Sequence, residues 1–141
     1  MAMKKTVFIF LLLLGFTSAC KKWMAQPDDC ESYDYSNCVT TEPMLTSATL
    51  YFSINNEIQK VPFTIYLGKI EDNNVLFRDT AYNSRVYYDL NFTIYSVKAE
   101  YRLQGKTVYV VDGAEAEKWS NNICDSTCWG WDTLVFDLML H

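Results

Sequence analysis

Tyr95-Ser96-Val97-Lys98-Ala99-Glu100-Tyr101-Arg102-Leu103 is the stretch that decides the fold of this 141-residue chain. Tyr95, Val97, Ala99, Tyr101 and Leu103 alternate with Ser96, Lys98, Glu100 and Arg102, a period of two residues. Successive side chains of a strand point to opposite faces, so this is a half-buried β-strand with its charges in water. A helix would scatter the same apolar residues around its circumference. Gln104-Gly105-Lys106 then supplies a tight turn, and Thr107-Val108-Tyr109-Val110-Val111 returns as the hairpin partner. Asp112-Gly113 reads as the next turn, and residues 114–119 fit either a brief helical turn or a strand.

The same period recurs on both sides of this segment. Upstream, Ala48, Leu50, Phe52 and Ile54 alternate with Thr49, Tyr51 and Ser53, and after a turn at Asn55-Asn56-Glu57 so do Val61, Phe63, Ile65 and Leu67 with Pro62, Thr64 and Tyr66. Pro62 has no amide donor, which places the start of that strand, or a sheet edge, beside it. Gly68 closes the strand, Val75-Leu76-Phe77 forms a short third one, and Val86, Tyr88, Leu90 and Phe92 mark a fourth. Downstream, Leu134, Phe136, Leu138 and Leu140 alternate with Val135, Asp137 and Met139. About seven short strands with no amphipathic helix predict an all-β fold, a single antiparallel β-sandwich over residues 47–141. Roughly twenty inward positions, each contributing about 1.5–3 kcal/mol when buried, form a core that offsets chain entropy without a cofactor.

Ahead of the strands the pattern is different. Lys4 and Lys5 precede an apolar run over residues 7–16, and Thr17-Ser18-Ala19 leads into Cys20. This order is that of a secretory signal peptide over residues 1–19, its apolar part too short to span a bilayer. Cysteine directly after the small-residue cleavage site resembles the lipobox of bacterial lipoproteins. That resemblance implies acylation of Cys20 and partnership with a membrane through the lipid anchor; cleavage at the same bond by an ordinary signal peptidase is the alternative. Residues 20–46, rich in Pro, Asp, Ser and Asn, read as a polar tether ending in a stapled segment. Without Lys4 and Lys5 the chain keeps 10 of its 12 cationic residues against 17 acids. No basic stripe offers itself to phosphates, which excludes nucleic acid as a partner. Lys21 and Lys22 follow the lipid site, suited to acidic head groups.

Five cysteines are present. Assigning Cys20 to a thioether leaves an even set, Cys30, Cys38, Cys124 and Cys128, suited to an oxidising compartment. Two disulfides are the favoured reading. A zinc site is the competing one, but its usual C-x2-C pairs are missing: seven and three residues intervene here. Local pairing would close short loops. Crossed pairing, favoured because the first and last strands of such sandwiches lie close together, would tie the pre-strand segment to the loop before the last strand.

Val61-Pro62-Phe63-Thr64-Ile65-Tyr66, Val75-Leu76-Phe77 and Tyr95-Ser96-Val97-Lys98-Ala99-Glu100-Tyr101 together resemble the immunoglobulin-like or transthyretin-like sandwiches of carboxypeptidase-regulatory type, found in small Bacteroidota-type envelope lipoproteins. The resemblance implies a cell-envelope location, at the outer membrane and facing the periplasm or the surface. It implies no activity, because sandwiches host many unrelated functions.

No enzyme chemistry is legible. His141 is the single histidine, no G-x-S-x-G elbow is present, and Asp28-Asp29, Glu71-Asp72 and Glu115 with Glu117 lie in polar loop sequence. No cofactor or metal motif occurs. Asp79-Thr80-Ala81 resembles an O-glycosylation acceptor of such envelopes. Aromatic residues make up 16% of the chain, more than strand cores usually need. Trp129 and Trp131, with Tyr33 and Tyr35, are the candidate binding residues, and rings of this kind anchor protein partners or stack on sugars. The expected function is a non-enzymatic, protein-binding or scaffolding envelope lipoprotein; the alternative is a carbohydrate-binding accessory protein.

Overall fold

Wherever the period-two pattern runs, the chain is extended. The computed structural model describes residues 30–141, and among them nine strands follow in order: β1 (Leu45–Phe52), β2 (Val61–Leu67), β3 (Val75–Ala81), β4 (Arg85–Asn91), β5 (Ile94–Leu103), β6 (Lys106–Glu115), β7 (Lys118–Ile123), β8 (Ser126–Trp131) and β9 (Leu134–Leu138). The leader over residues 1–19, Cys20 and the first part of the tether lie outside the described residues. The architecture is all-β. A three-stranded sheet, β4-β1-β9, faces a four-stranded sheet, β3-β2-β5-β6, and a hairpin of β7 and β8 stands apart.

The core lies where the two larger sheets meet. Tyr95, Val97, Ala99 and Tyr101 of β5 are almost wholly buried, as the alternation requires, and Val61, Phe63 and Ile65 of β2 join them. Ala48, Leu50 and Phe52 of β1 and Leu134, Phe136 and Leu138 of β9 supply the opposing layer. Phe52 and Phe63 meet across the sheets with ring centroids 5.2 Å apart. Inside this layer the Tyr101 hydroxyl donates to the Leu138 carbonyl (2.6 Å) and accepts the Ser53 N–H (3.1 Å). A buried phenol is tolerated because both of its polar roles are filled.

Each long side of the sandwich is closed by one carboxylate. On one side the Tyr88 hydroxyl of β4 donates to Asp79 of β3 (2.6 Å). On the other, the Asp137 N–H of β9 donates to Asp112 of β6 (2.7 Å). The facing strands therefore cannot splay without breaking a charge-assisted bond.

Several local expectations need correction. Asp112-Gly113 is not a turn: β6 pairs with β5 from Lys106 opposite Leu103 to Glu115 opposite Ile94, because β5 offers a continuous ten-residue edge. The turn before it stands, with Gln104 and Gly105 both at positive φ. Leu67 is not an inward residue; a register shift between Ile65 and Tyr66 buries Tyr66 and leaves Leu67 more than one-third exposed. The third strand runs on to Ala81, and the sandwich is not wholly antiparallel, since β1 and β9 pair in parallel from Ala48 opposite Leu134. Pro62 does sit at a strand start, next to Val61, with Thr80 of β3 opposite it and the pairing to β5 beginning only at Phe63. The first strand starts at Leu45, and Thr46 is already buried, its hydroxyl donating to the Asp132 carbonyl (2.6 Å).

Candidate functional site

Residues 114–119 resolve the open choice in favour of strand, ending β6 at Glu115 and opening β7 at Lys118, and β7 with β8 forms a separate hairpin. Ile123 and Ser126 pair directly, so Cys124-Asp125 is a two-residue turn, with Cys124 at φ 53°. Asn, Asp or Gly normally fills such a position. Here a cross-link holds it: Cys30 is bonded to Cys124 and Cys38 to Cys128, the crossed arrangement. All four sulfurs are engaged in these bonds, so none is a thiolate for a metal. Val39 then pairs with Trp129 as an isolated bridge, its carbonyl accepting the Trp129 N–H (2.8 Å). Residues 30–39 and the β7-β8 hairpin thus form one covalently closed clasp at the end of the sandwich.

Lys118 joins the clasp to the body. Its ammonium meets Glu42 (2.6 Å), donates to the Pro43 carbonyl (3.1 Å), and lies over the rings of Phe92 (5.3 Å) and Trp129 (5.8 Å). Four partners around one half-buried cation define a fixed geometry better than a lone surface pair, worth only a few tenths to about 1 kcal/mol. At the base of the hairpin the Asp132 N–H donates to the Glu117 carbonyl (3.0 Å).

The predicted aromatic residues all fall in this unit, with unequal exposure. Tyr33 and Tyr35 stand edge to face, centroids 4.8 Å apart, flanked by an Asp34 side chain that accepts from the Ser36 N–H (2.9 Å). That hydrogen bond holds the Asp34 carboxyl below its ordinary value. Trp129 and Trp131 share one face of β8 and are half-buried, not open platforms. Sequence reasoning missed Trp119. It lies opposite Gly130, is 45% exposed, and its indole covers that glycine so closely that a Cβ there would fall 2.6 Å from Nε1. The signal was present in the Trp-Gly-Trp spacing, but it needed the hairpin register to be read. Val39, Met44 and Leu45, also exposed, lie in or directly beside the same unit.

The remaining titratable groups are placed for structure. Tyr88 donating to Asp79, with the Thr80 N–H second, lowers the Asp79 carboxyl, while burial first and the Asp79 contact second raise the Tyr88 phenol. Burial also raises Tyr95 and Tyr101. His141 meets only Asp137 (3.3 Å) at an exposed position. Thr80 is the penultimate residue of β3, beside the loop that leads to β4. Among the described residues no three His, Cys, Asp or Glu gather to hold a metal ion, and no helix is long and apolar enough to cross a membrane. Comparisons with protein-family models, with curated proteins and with solved structures give no match to this chain.

Proposed function

We propose that the chain is a non-enzymatic envelope module, held at a membrane through an acylated Cys20, whose clasp binds a protein partner. One observation carries this reading: the β7-β8 hairpin belongs to neither large sheet, yet two long-range disulfides hold it rigid and leave Trp119 outside. The sandwich core has no need of that ring. A rigid aromatic ring left 45% exposed is the kind of residue that anchors an interface. Disulfides spanning 94 and 90 residues support an oxidising compartment. The sheets β4-β1-β9 and β3-β2-β5-β6 support the resemblance to sandwich modules of envelope lipoproteins.

Site-specific photo-crosslinking in native envelopes tests the reading. A crosslinker at position 119 should give a discrete adduct, and one at the exposed Tyr87 of β4 should not. Adducts of equal yield at both positions, or none at 119, overturn the docking face. Metabolic labelling with an alkyne fatty acid that persists in Cys20→Ser overturns the anchor.

A further inference from the structure

The outer face of the four-stranded sheet carries a groove of about 410 Å³ that takes no part in the clasp. Across its floor Arg78 of β3 stands opposite Thr64 of β2, and Thr64 opposite Lys98 of β5. Neighbouring strands lie about 4.8 Å apart, so the two cations flank the threonine at roughly 10 Å backbone spacing. Thr64 is nine-tenths buried, and its hydroxyl makes no hydrogen bond with any described residue. That hydroxyl is open to solvent at the floor of the groove, where a ligand can replace the water.

The charge left over in this groove is positive. Asp79 stands opposite the inward-facing Phe63 and keeps its charge turned to Tyr88 of the other sheet (2.6 Å), while on the outer face Glu100 pairs with Arg102 (3.5 Å). Arg78 and Lys98 form no ion pair with any described residue. Lys98 is steadied instead by two rings, 5.8 Å from the Tyr66 centroid and 5.4 Å from that of Tyr109. The chain as a whole is acidic, at −5. Arg78, Lys98 and Arg102 against the one carboxylate of Glu100 leave this face with an excess of positive charge, a local exception in an acidic chain, and an anion is the charge that complements it.

We propose that this groove binds an acidic saccharide, its carboxylate over Thr64 between Arg78 and Lys98, and its ring against Tyr109. Tyr109 is 57% exposed and offers a face for sugar C–H groups, whereas Tyr66 is too deeply buried to open an apolar socket for a peptide side chain. Thr80 and Glu100 line the same groove and suit sugar hydroxyls. The site is independent of the clasp.

Titration calorimetry of the full chain in detergent tests this, with trigalacturonate and a hyaluronan hexasaccharide as probes. At least one should bind, less tightly as salt rises. Arg78→Gln and Lys98→Met, the latter keeping the stem that packs on the rings, should each weaken binding about tenfold. Tyr109→Ala should weaken it several-fold, while Lys106→Gln and Trp119→Ala leave it unchanged. No heat from either probe up to about 5 mM overturns the site. So does full binding in both cation variants with native circular dichroism. Equal affinity for inorganic phosphate or for a tetraglutamate peptide overturns the saccharide assignment, and should one variant not fold, the other decides alone.

Discussion

The two disulfides should not contribute independently, because the loops they close cross and share most of the same chain. Starting from a chain with neither bond, the first closes a loop of 94 or 90 residues, worth about 4.7 kcal/mol in the chain-entropy model. Once either is in place, the second closes only the ring running from Cys30 to Cys38 and from Cys124 to Cys128, roughly 14 residues, worth about 3 kcal/mol. Cys30→Ala with Cys124→Ala should therefore cost about 3 kcal/mol. Cys38→Ala with Cys128→Ala should cost the same plus a cavity contribution of up to about 1 kcal/mol, since Cys128 is buried. Removing all four sulfurs should cost roughly 7–8 kcal/mol, more than the two separate losses combined. Urea unfolding provides the assay. The three described tryptophans, Trp119, Trp129 and Trp131, report on the clasp by fluorescence, and far-ultraviolet circular dichroism reports on the sandwich. A quadruple variant whose loss merely equals the sum of the two pairs would refute the overlapping-loop argument. Tryptophan and circular-dichroism transitions that separate in the wild type would show that the clasp is not coupled to the core.

Tyr101→Phe removes one hydroxyl that serves the Leu138 carbonyl and the Ser53 N–H, and should cost about 1–3 kcal/mol with an unchanged urea m-value. Gly130→Ala should swing the Trp119 indole off the hairpin, shifting its emission to the red at a cost of about 1 kcal/mol, and this cost should vanish in a Trp119→Ala background. The Asp79 carboxyl is lowered in the fold by Tyr88, so its contribution is complete above the ordinary aspartate value of 3.8 and is lost as pH falls through the lower folded value. Tyr88→Phe should flatten the acid limb of a stability–pH profile in that range. Burial raises Tyr101, so its contribution is complete below pH 10.0 and is lost as pH rises beyond it; Tyr101→Phe should blunt the alkaline limb.

What the sequence determined by itself is the face that β1, β4, β5 and β9 turn inward. Over β5 the alternation from Tyr95 to Tyr101 and the burial agree residue by residue, because a two-residue period depends only on neighbours in the chain. The same locality made the turns at Asn55 and at Gln104-Gly105 readable, the first through its own side chain accepting from the Glu57 and Ile58 amides (2.9 Å each). Four oxidised cysteines followed from parity. Tertiary structure alone decided the rest, for reasons that are non-local. Asp112-Gly113 is a turn by composition, but a long β5 edge keeps it extended, and the Asp112 carboxylate is taken by a strand 25 residues further on. Trp119 becomes an exposed anchor only because the hairpin register sets it over Gly130. Arg78, Thr64 and Lys98 are scattered in the chain and become one row through two strand pairings. Hydrophobic period is written in adjacent residues, whereas register is set by which strands meet, and both surfaces put forward for partners are products of register.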